Sequence, residues 1–358
     1  MRVLITGICG LIGFNAAKYY RNLGYEVWGI DNMERSTLLG HEVSKVRSRF
    51  NYNELLALGV TVIEQDISEQ STWDELPREG FDIIIHLAGQ CGVPSSINNP
   101  RRDFEVNAIG TLNVLEYVRK TGRDTRVVYA STNKTYPIHA GWHKNPQSSR
   151  WEWRDADWHR YGFPKEGELR HPDDLGGART PYGTSKYVGD LLMQEYHYTY
   201  GIPTACFRMS CIYGKNQFGF EEQGWNVYFC IAAEKGWPLQ IFGDGDQVRD
   251  MLYVEDVVRA YDAFADPKPG KAIPNHGVWN IGGGPKNTLS LNECIAFLEK
   301  QTGKKIERTF HDWRPSDQRV YTSDIRPLML DLGWEPIVGP EEGLRRSLEW
   351  VKKNVDIF

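Results

Sequence analysis

Two residues of this chain, Tyr182 and Lys186, have the types and the spacing to carry out proton transfer. Residues four apart on a helix lie on one face, so a phenol and an ammonium at this spacing point the same way. Because a nearby cation favours phenolate, we expect Lys186 to lower the pKa of Tyr182 from its ordinary value of about 10. The pair could then take a proton from an alcohol while another group takes a hydride. Pairs at this spacing also occur by chance, so the assignment depends on the pattern around them.

A glycine-rich turn near the N-terminus predicts a dinucleotide site. Gly7, Gly10 and Gly13 follow a short apolar strand and open a helix over residues 11–23. Glycines let the backbone approach a pyrophosphate, which binds at the N-terminus of the helix. Asp31 ends the second strand, where a carboxylate accepts hydrogen bonds from the adenosine ribose and repels a 2′-phosphate. The pattern therefore favours NAD over NADP.

Strands and helices alternate along the chain and predict an α/β fold. Further strands are expected at 60–63, 81–86, 126–130 and 202–207. This order predicts a doubly wound parallel sheet, the Rossmann arrangement, with a smaller C-terminal α/β lobe that binds substrate. We expect the NAD-binding domain to comprise residues 1–210 and 248–278, and the substrate lobe to comprise 211–247 and 279–358.

The ligands of such a sheet bind at the C-terminal ends of its strands. Ser131 and Thr132 follow the strand at 126–130 directly, so they are expected at the cofactor edge. A hydroxyl at that edge can donate to a substrate oxygen beside Tyr182. The alternative is that the two hydroxyls only cap the strand. The presence of Tyr182 and Lys186 disfavours this alternative.

Composition excludes several classes of function. The 358 residues carry a net charge of −5, which gives no basic surface for nucleic acid or an anionic membrane. No apolar run approaches the roughly 18 residues of a membrane span, and the N-terminal segment is typical of a first strand rather than a signal peptide. The six cysteines form no CxxC pair and show no metal-ligand spacing. We therefore expect a reduced, cytoplasmic protein without a metal ion.

Several motifs spread over nearly the whole chain belong together. They occupy residues 6–13, 66–67, 86–90, 131–132, 182–186, 247–256, 280–283 and 314–319. In this combination they resemble the extended short-chain dehydrogenase/reductase family, whose members are largely nucleotide-sugar epimerases, dehydratases and decarboxylases. The resemblance implies NAD as the cofactor, a nucleotide-diphosphate sugar as the substrate, and a homo-oligomer, either a dimer or a tetramer.

The resemblance also implies the residues of the site. The catalytic residues are expected to be Ser131, Thr132, Tyr182 and Lys186. The cofactor-binding residues are expected to be Gly7, Cys9, Gly10, Leu11, Ile12, Gly13, Asp31, Asn32, Asp66, Ile67, Leu87, Ala88, Gln90 and Asn107, together with Tyr182 and Lys186. The substrate-binding residues are expected to be Ser96, Asn133, Cys211, Gln223, Arg249, Arg314 and Asp317. Arg249 and Arg314 are assigned to the diphosphate, because guanidinium groups suit phosphate oxygens.

The residues that follow Thr132 limit the reactions that the site could catalyse. Dehydrating relatives carry an acid and a base there, commonly Asp then Glu, whereas this chain has Asn133 and Lys134. An amide and an ammonium cannot share the proton transfers of an elimination, so dehydration is disfavoured. The stretches 131–134 and 223–225 resemble family members that invert C2 of a nucleotide-linked hexose. Inversion at C4 by the same residues is the alternative, and a non-catalytic NAD sensor is a distant third.

Two departures from the family and one segment bear on the substrate site. Cys211 stands where many relatives have Asn, and Pro137 stands where relatives usually have Gly. The segment 137–180 is rich in Trp and either forms a lid over the substrate or packs onto the body. The sequence favours packing.

Overall fold

The computed structural model describes residues 1–34, 42–137, 142–154, 177–221, 223–314 and 317–358. In chain order the strands are β1 (Arg2–Thr6), β2 (Glu26–Ile30), β3 (Thr61–Ile63), β4 (Ile83–His86), β5 (Arg126–Thr132), β6 (Trp142–Lys144), β7 (Trp151–Trp153), β8 (Thr204–Met209), β9 (Cys211–Tyr213), β10 (Leu239–Phe242), β11 (Val248–Tyr253), β12 (His276–Ile281), β13 (Thr288–Ser290), β14 (Arg308–His311) and β15 (Val320–Tyr321). The helices are α1 (Leu11–Asn22), α2 (Glu42–Ala57), α3 (Gln70–Asp74), α4 (Val93–Asn98), α5 (Pro100–Phe104), α6 (Gly110–Thr121), α7 (Thr180–Tyr200), α8 (Trp225–Lys235), α9 (Val254–Ala265), α10 (Leu291–Thr302), α11 (Arg326–Leu332) and α12 (Pro340–Lys353). A π-helical turn, Glu105–Ile109, joins α5 to α6, and a 3-10 turn, Asn133–Thr135, follows β5.

The central sheet has seven strands in the order β3-β2-β1-β4-β5-β8-β12, and every pairing in it is parallel. The chain starts at β1 in the middle, runs to one edge, returns across β1 and continues to the other edge. The carboxyl ends of β1 and β4 are therefore neighbours at the point where the strand order reverses, which is where ligands bind in such sheets. The predicted doubly wound α/β fold is confirmed.

The sheet is buried on both faces, as parallel sheets usually are. Val3 and Ile5 of β1 pack in one apolar cluster with residues of α1 and α9, whereas Leu4 packs in another with residues of α6 and α7. Side chains alternate between the two faces of a strand, so a continuous apolar run such as 83–85 of β4 fills both clusters. This two-sided burial fixes the strand ends that form the site.

The C-terminal half of the chain forms a smaller α/β lobe. Strand β11 pairs with β9, β13 and β15, and β10 pairs with β14. Helices α8, α10 and α12 enclose a separate apolar cluster with these strands. The division of the chain into two discontinuous domains at the predicted boundaries stays a prediction. Within the described ranges, no helix combines the length and the apolar character needed to cross a membrane.

Candidate active site

The glycine turn after β1 is packed so closely that side chains are excluded. Gly7 has a φ of 70°, and a Cβ on it would lie 2.8 Å from the backbone nitrogen of Ala88. A Cβ on Gly13 would lie 2.3 Å from the carbonyl oxygen of Gly7. Gly10 precedes α1 and has no side chain to cap it, so the first-turn N–H groups remain available to an anion. The turn is therefore a cradle shaped for a pyrophosphate.

Asp31 is held at the end of β2 by backbone donors. Its Oδ2 accepts from the N–H of Cys9 at 2.9 Å, and its Oδ1 accepts from the N–H of Met33 at 2.9 Å. The carboxylate thus lies beside the glycine turn, where a ribose bound with its pyrophosphate on α1 would be. This geometry fits the adenosine half of NAD.

An open cleft follows this edge of the sheet. Of the residues assigned to NAD from the sequence, Gly7, Cys9, Gly10, Leu11, Asp31, Asn32, Asp66, Ile67, Leu87, Ala88 and Gln90 line it. Five others do not line it: Ile12, Gly13, Asn107, Tyr182 and Lys186. Gly13 packs beneath Gly7, and Tyr182 lines the substrate cavity described below. Further lining residues that the sequence did not reveal include Met33, Glu34, Gln65, Arg102, Asn216 and Phe218.

One end of the cleft carries an ion-pair network. Arg102 of α5 donates to both Asp66 and Glu34, and Asn32 donates to Asp66 at 2.9 Å. Burial acts to raise the pKa of Asp66, but the hydrogen bonds from Ser68, Arg102 and Asn32 outweigh it and lower that pKa. Asp66 is therefore held as a carboxylate at the edge of the cleft. No local motif marks Arg102, because its partners are more than thirty residues away in the chain.

The buried side chain of His86 connects the carboxyl ends of β1 and β4 through hydrogen bonds. His86 Nδ1 is bonded to Thr6 Oγ1 at 2.7 Å, and Nε2 is bonded to Thr111 Oγ1 at 2.9 Å. Burial and the nearby Lys186 lower the pKa of His86 to about 3, so the ring is neutral. The same Thr6 oxygen accepts from the N–H groups of the loop after β4. His86 is thus a structural residue of the cofactor edge.

The π-helical turn directs Asn107 toward the catalytic helix. Its Oδ1 accepts from the N–H of Gln90 at 2.9 Å, and its Nδ2 donates to Ser185 Oγ at 2.9 Å. Ser185 in turn donates to the carbonyl oxygen of Tyr182. Such turns often occur at functional sites. Asn107, which was expected to bind the cofactor, here ties the cleft loop to α7.

Tyr182 and Lys186 lie on the first turns of α7, but their electrostatics differ from the sequence-based expectation. Burial raises the pKa of Tyr182, as do Cys91 and, to a smaller degree, Asp103, while the Thr132 hydroxyl acts in the opposite direction. Lys186 is not among the groups that shift it. The Lys186 ammonium lies 4.1 Å from the centre of the Tyr129 ring, and burial lowers its pKa to about 8. The expected lowering of the Tyr182 pKa by Lys186 is therefore absent from the protein alone, because burial dominates both groups.

Ser131 differs from its expected role. Its hydroxyl is buried and donates to Asp190 Oδ2 of α7 at 2.7 Å. Asp190 also receives two hydrogen bonds from Arg208 of β8, each at 3.0 Å. Thr132 lines the substrate cavity, whereas Ser131 does not. Ser131 therefore positions the strand end instead of orienting the substrate.

The second cavity adjoins the first, and Cys91 lines both. Predicted residues that line it are Thr132, Asn133, Tyr182, Cys211, Arg249, Arg314 and Asp317. Two predictions differ: Gln223 lines the cofactor cleft, and Ser96 is buried with its hydroxyl donating to the carbonyl of Val93. The sequence assignment missed Lys134, Glu221, Trp225, Tyr228 and Gln318, which also line this cavity.

Both arginines of this cavity have carboxylate partners in the protein. Arg249 donates to Asp317 at 2.9 Å, and Arg314 donates to Glu221 at 2.9 Å. The Arg314 guanidinium also lies 3.7 Å from the centre of the Phe242 ring. These contacts hold both guanidinium groups at the wall of the cavity, where an anionic substrate can reach them.

The described part of the Trp-rich segment packs onto the body. Trp153 is buried in a cluster with residues of β11 and β15, and Trp142 and Trp151 pack against it. Arg319 lies over Trp151 at 4.3 Å from the ring centre. Residues 138–141 and 155–176 lie outside the described residues. Over the described parts of the chain, no three His, Cys, Asp or Glu side chains are grouped in a way that could hold a metal ion.

Comparison with known proteins agrees with this geometry. A model of the NAD dependent epimerase/dehydratase family matches residues 3–282. The CDP-paratose 2-epimerase of Salmonella typhi is 32% identical over 98% of this chain and 99% of its own length. The UDP-glucuronate 4-epimerase of Thermodesulfobacterium geofontis is 30% identical over 99% of this chain and 97% of its own length. The Thermus thermophilus UDP-glucose 4-epimerase, solved as a complex with NAD, matches with a TM-score of 0.75 and 27% identity over 98% of this chain and 99% of that chain. The protein is therefore an enzyme of the NAD dependent epimerase/dehydratase family, the extended short-chain dehydrogenases/reductases, and NAD is its cofactor, as the motifs predicted.

Proposed function

We propose that this enzyme inverts C2 of a hexose linked to a nucleoside diphosphate, through a transient 2-keto sugar. The observation that supports this proposal is the group formed by Thr132, Asn133, Lys134 and Tyr182 in the substrate cavity. Inversion by oxidation and re-reduction needs a proton acceptor, a hydroxyl that orients the reacting oxygen, and a cofactor beside them. It does not need the acid and base of an elimination, which Asn133 and Lys134 do not provide.

Each residue of the site has its own role in the proposed reaction. Thr132 orients the reacting hydroxyl of the sugar. Tyr182 acts as the phenolate, the form that positive charge nearby favours, and it takes the proton from that oxygen and later returns it. Lys186 keeps positive charge near the reacting atoms. Asp31 would hold the adenosine ribose, and the glycine turn would hold the pyrophosphate of the dinucleotide. When bound, NAD supplies the hydride acceptor of the oxidation and the hydride donor of the reduction. The size of the substrate cavity gives the keto sugar room to present its opposite face before it is reduced.

C2 is favoured over C4 by the sequence around the site. The stretches 131–134 and 223–225 resemble C2-inverting members of the family, and the relative with 32% identity is a CDP-paratose 2-epimerase. Inversion at C4 is the second candidate, because relatives of similar identity carry the names of UDP-sugar 4-epimerases. A non-catalytic NAD-binding protein is disfavoured, since both Tyr182 and Lys186 are present.

The test uses a nucleotide-linked hexose that carries deuterium at C2. The enzyme is incubated with CDP- and UDP-hexoses in ordinary water, and the sugar product is analysed by NMR. We expect inversion at C2 with the deuterium retained, because the hydrogen that leaves C2 returns to it. Loss of the deuterium would contradict the redox mechanism, since a side-chain base that removed a proton would exchange it with water. Inversion at C4 alone would leave the mechanism intact and select the second candidate.

A cytoplasmic location and a homo-oligomeric state belong to the same proposal. The six cysteines are all free, and three of them (Cys206, Cys230 and Cys294) are buried. Free thiols in these numbers are typical of proteins kept in a reducing compartment. The oligomeric state can be measured directly by light scattering on the purified protein.

A further inference from the structure

Three of the residues that line the substrate cavity are cationic, namely Lys134, Arg249 and Arg314. Each arginine has a carboxylate partner at 2.9 Å. Lys134 differs, because its Nζ donates to the neutral amide oxygen of Gln318 at 3.2 Å and to no carboxylate among the residues that the structure describes. An ammonium carries three N–H donors, so Lys134 has donors to spare.

A cation in this position is destabilised until a ligand arrives. Burial lowers the pKa of Lys134 to about 8. Asp317 and Cys211 act to raise this pKa, and Arg249 acts to lower it. The other titratable or charged residues that line the same cavity are Cys91, Tyr182, Glu221, Tyr228 and Arg314. Lys134 is partly buried, and a partly buried charge whose hydrogen-bond partner is a neutral amide costs free energy that an anionic ligand would recover.

Lys134 also lies beside the reacting group. It belongs to the 3-10 turn Asn133–Thr135, and its backbone N–H donates to Thr132 Oγ1 at 3.2 Å. The ammonium and the hydroxyl that orients the reacting oxygen therefore come from one turn and line one cavity. An anion held by Lys134 would therefore lie in the same cavity as the reacting oxygen.

We propose that Lys134 binds the phosphate attached to C1 of the sugar and thereby directs C2, rather than C4, toward Thr132 and Tyr182. This inference rests on the proposed function. In a hexosyl diphosphate that phosphorus is three bonds from C2 and five bonds from C4. A cation close to the reacting oxygen can therefore reach the phosphate when C2 is the reacting carbon, whereas in a C4 pose the ring separates them. The two paired arginines remain available to the rest of the diphosphate.

The experiment compares Lys134→Met, Lys134→Arg and a surface control, Lys353→Met, which removes the same charge from an exposed position on α12. Calorimetry on the NAD-loaded proteins measures the affinities for CDP, CMP, UDP and UMP. We expect Lys134→Met to weaken binding of the diphosphates by about 10- to 100-fold, the usual effect of losing a hydrogen bond to a charged group. Monophosphate binding should stay within about twofold, because the lost contact is to the second phosphate. Lys134→Arg should retain most of the diphosphate affinity, and Lys353→Met should match the wild type.

The outcomes separate this inference from the function on which it rests. If the wild type inverts C2 and Lys134→Met binds CDP and UDP as tightly as the wild type does, the role of Lys134 is refuted while the function stands. An equal loss for monophosphates and diphosphates would also refute it, since the effect would then be general. If NMR shows that the wild type inverts only C4, the proposed function fails, and the directing role of Lys134 fails with it even if diphosphate binding is weakened. Selective loss of diphosphate affinity in an enzyme that inverts C2 supports the inference.

Discussion

Replacing Asp103 with Asn should remove one contribution to the protein's stability that weakens as pH rises. Asp103 lies in α5, is completely buried, and neither of its carboxyl oxygens has a hydrogen-bond partner in the described parts of the chain. Burial raises its pKa from 3.8 to about 7, although the Ser185 hydroxyl and the Lys186 ammonium act in the opposite direction. Asp103 is therefore an acid that the folded state keeps protonated well above the pH at which the unfolded chain releases the proton.

The sign and the size of the effect follow from this difference. Between pH 4 and 7 the folded protein holds a proton that the unfolded chain has lost, so stability falls as pH rises and stays low above pH 7. The folded and unfolded pKa values differ by about three pH units, which corresponds to about 4 kcal/mol in full. Between pH 5 and pH 8 the expected loss from this one group is about 3 kcal/mol. The amide of the Asn variant does not titrate, so it does not show this loss.

Urea unfolding at pH 5 and pH 8 with a fixed NAD concentration measures the effect. The quantity to compare is the change in the free energy of unfolding between the two pH values, because any constant cost of burying the Asn amide cancels. Asp74→Asn, at an exposed position at the end of α3, makes the same chemical change and serves as the control. We expect the wild type and the control to lose about 3 kcal/mol more than Asp103→Asn does on going to pH 8. Equal pH dependence in all three proteins would show that Asp103 is ionised in the folded state at both pH values.

Three further predictions concern the site. Tyr182→Phe should reduce turnover by about 10²- to 10⁴-fold while the purified protein keeps its NAD, because the dinucleotide contacts lie elsewhere; near-normal activity would contradict the role of Tyr182 as proton acceptor. Arg249→Ala and Arg314→Ala should each weaken nucleoside diphosphate binding in calorimetry and leave NAD content unchanged; unchanged affinity in both would mean that the diphosphate binds elsewhere. Lys134 is charged only below its pKa of about 8, so the affinity of the wild type for CDP should fall as pH rises past that value. The affinity of Lys134→Arg for CDP should stay level, because a guanidinium keeps its charge. A level profile in both proteins would rule out Lys134 as the titrating group.

The fold and the cofactor cleft were predictable because their signals are local. Strands with continuous apolar runs, the glycine spacing after β1 and the acid that ends β2 all lie within short segments of sequence. The structure then needs only the parallel pairing of β1, β2 and β4 to bring these segments to one edge. Gly7 and Gly13 are required for the same local reason, since a side chain on either would collide with neighbouring backbone.

The substrate cavity was harder to predict because its members come from distant segments. Gln223 and Ser96 were assigned by resemblance, but one lines the cofactor cleft and the other bonds its own helix. In the sequence, Lys134 was part of the stretch 131–134 that resembles C2-inverting enzymes and was a residue that cannot catalyse elimination, but it was not assigned to the substrate site. Its significance depends on what surrounds it: the partners of Arg249 and Arg314 are carboxylates, and its own partner is an amide. A single sequence does not contain that information.

The buried pair of Arg208 and Asp190 organises the strand end on which Ser131 and Thr132 lie. Asp190 joins α7 to β8 through Arg208 and to β5 through Ser131, with distances of 2.7 to 3.0 Å. Breaking a buried ion pair by removing one partner is strongly destabilising. The pair therefore holds α7, β5 and β8 in fixed positions relative to one another. Thr132 follows Ser131 on β5, and Tyr182 lies two helical turns before Asp190 on α7. Asp190 therefore helps to fix the Thr132 hydroxyl relative to the Tyr182 phenol, and Ser131 contributes to this arrangement through its hydrogen bond to that carboxylate.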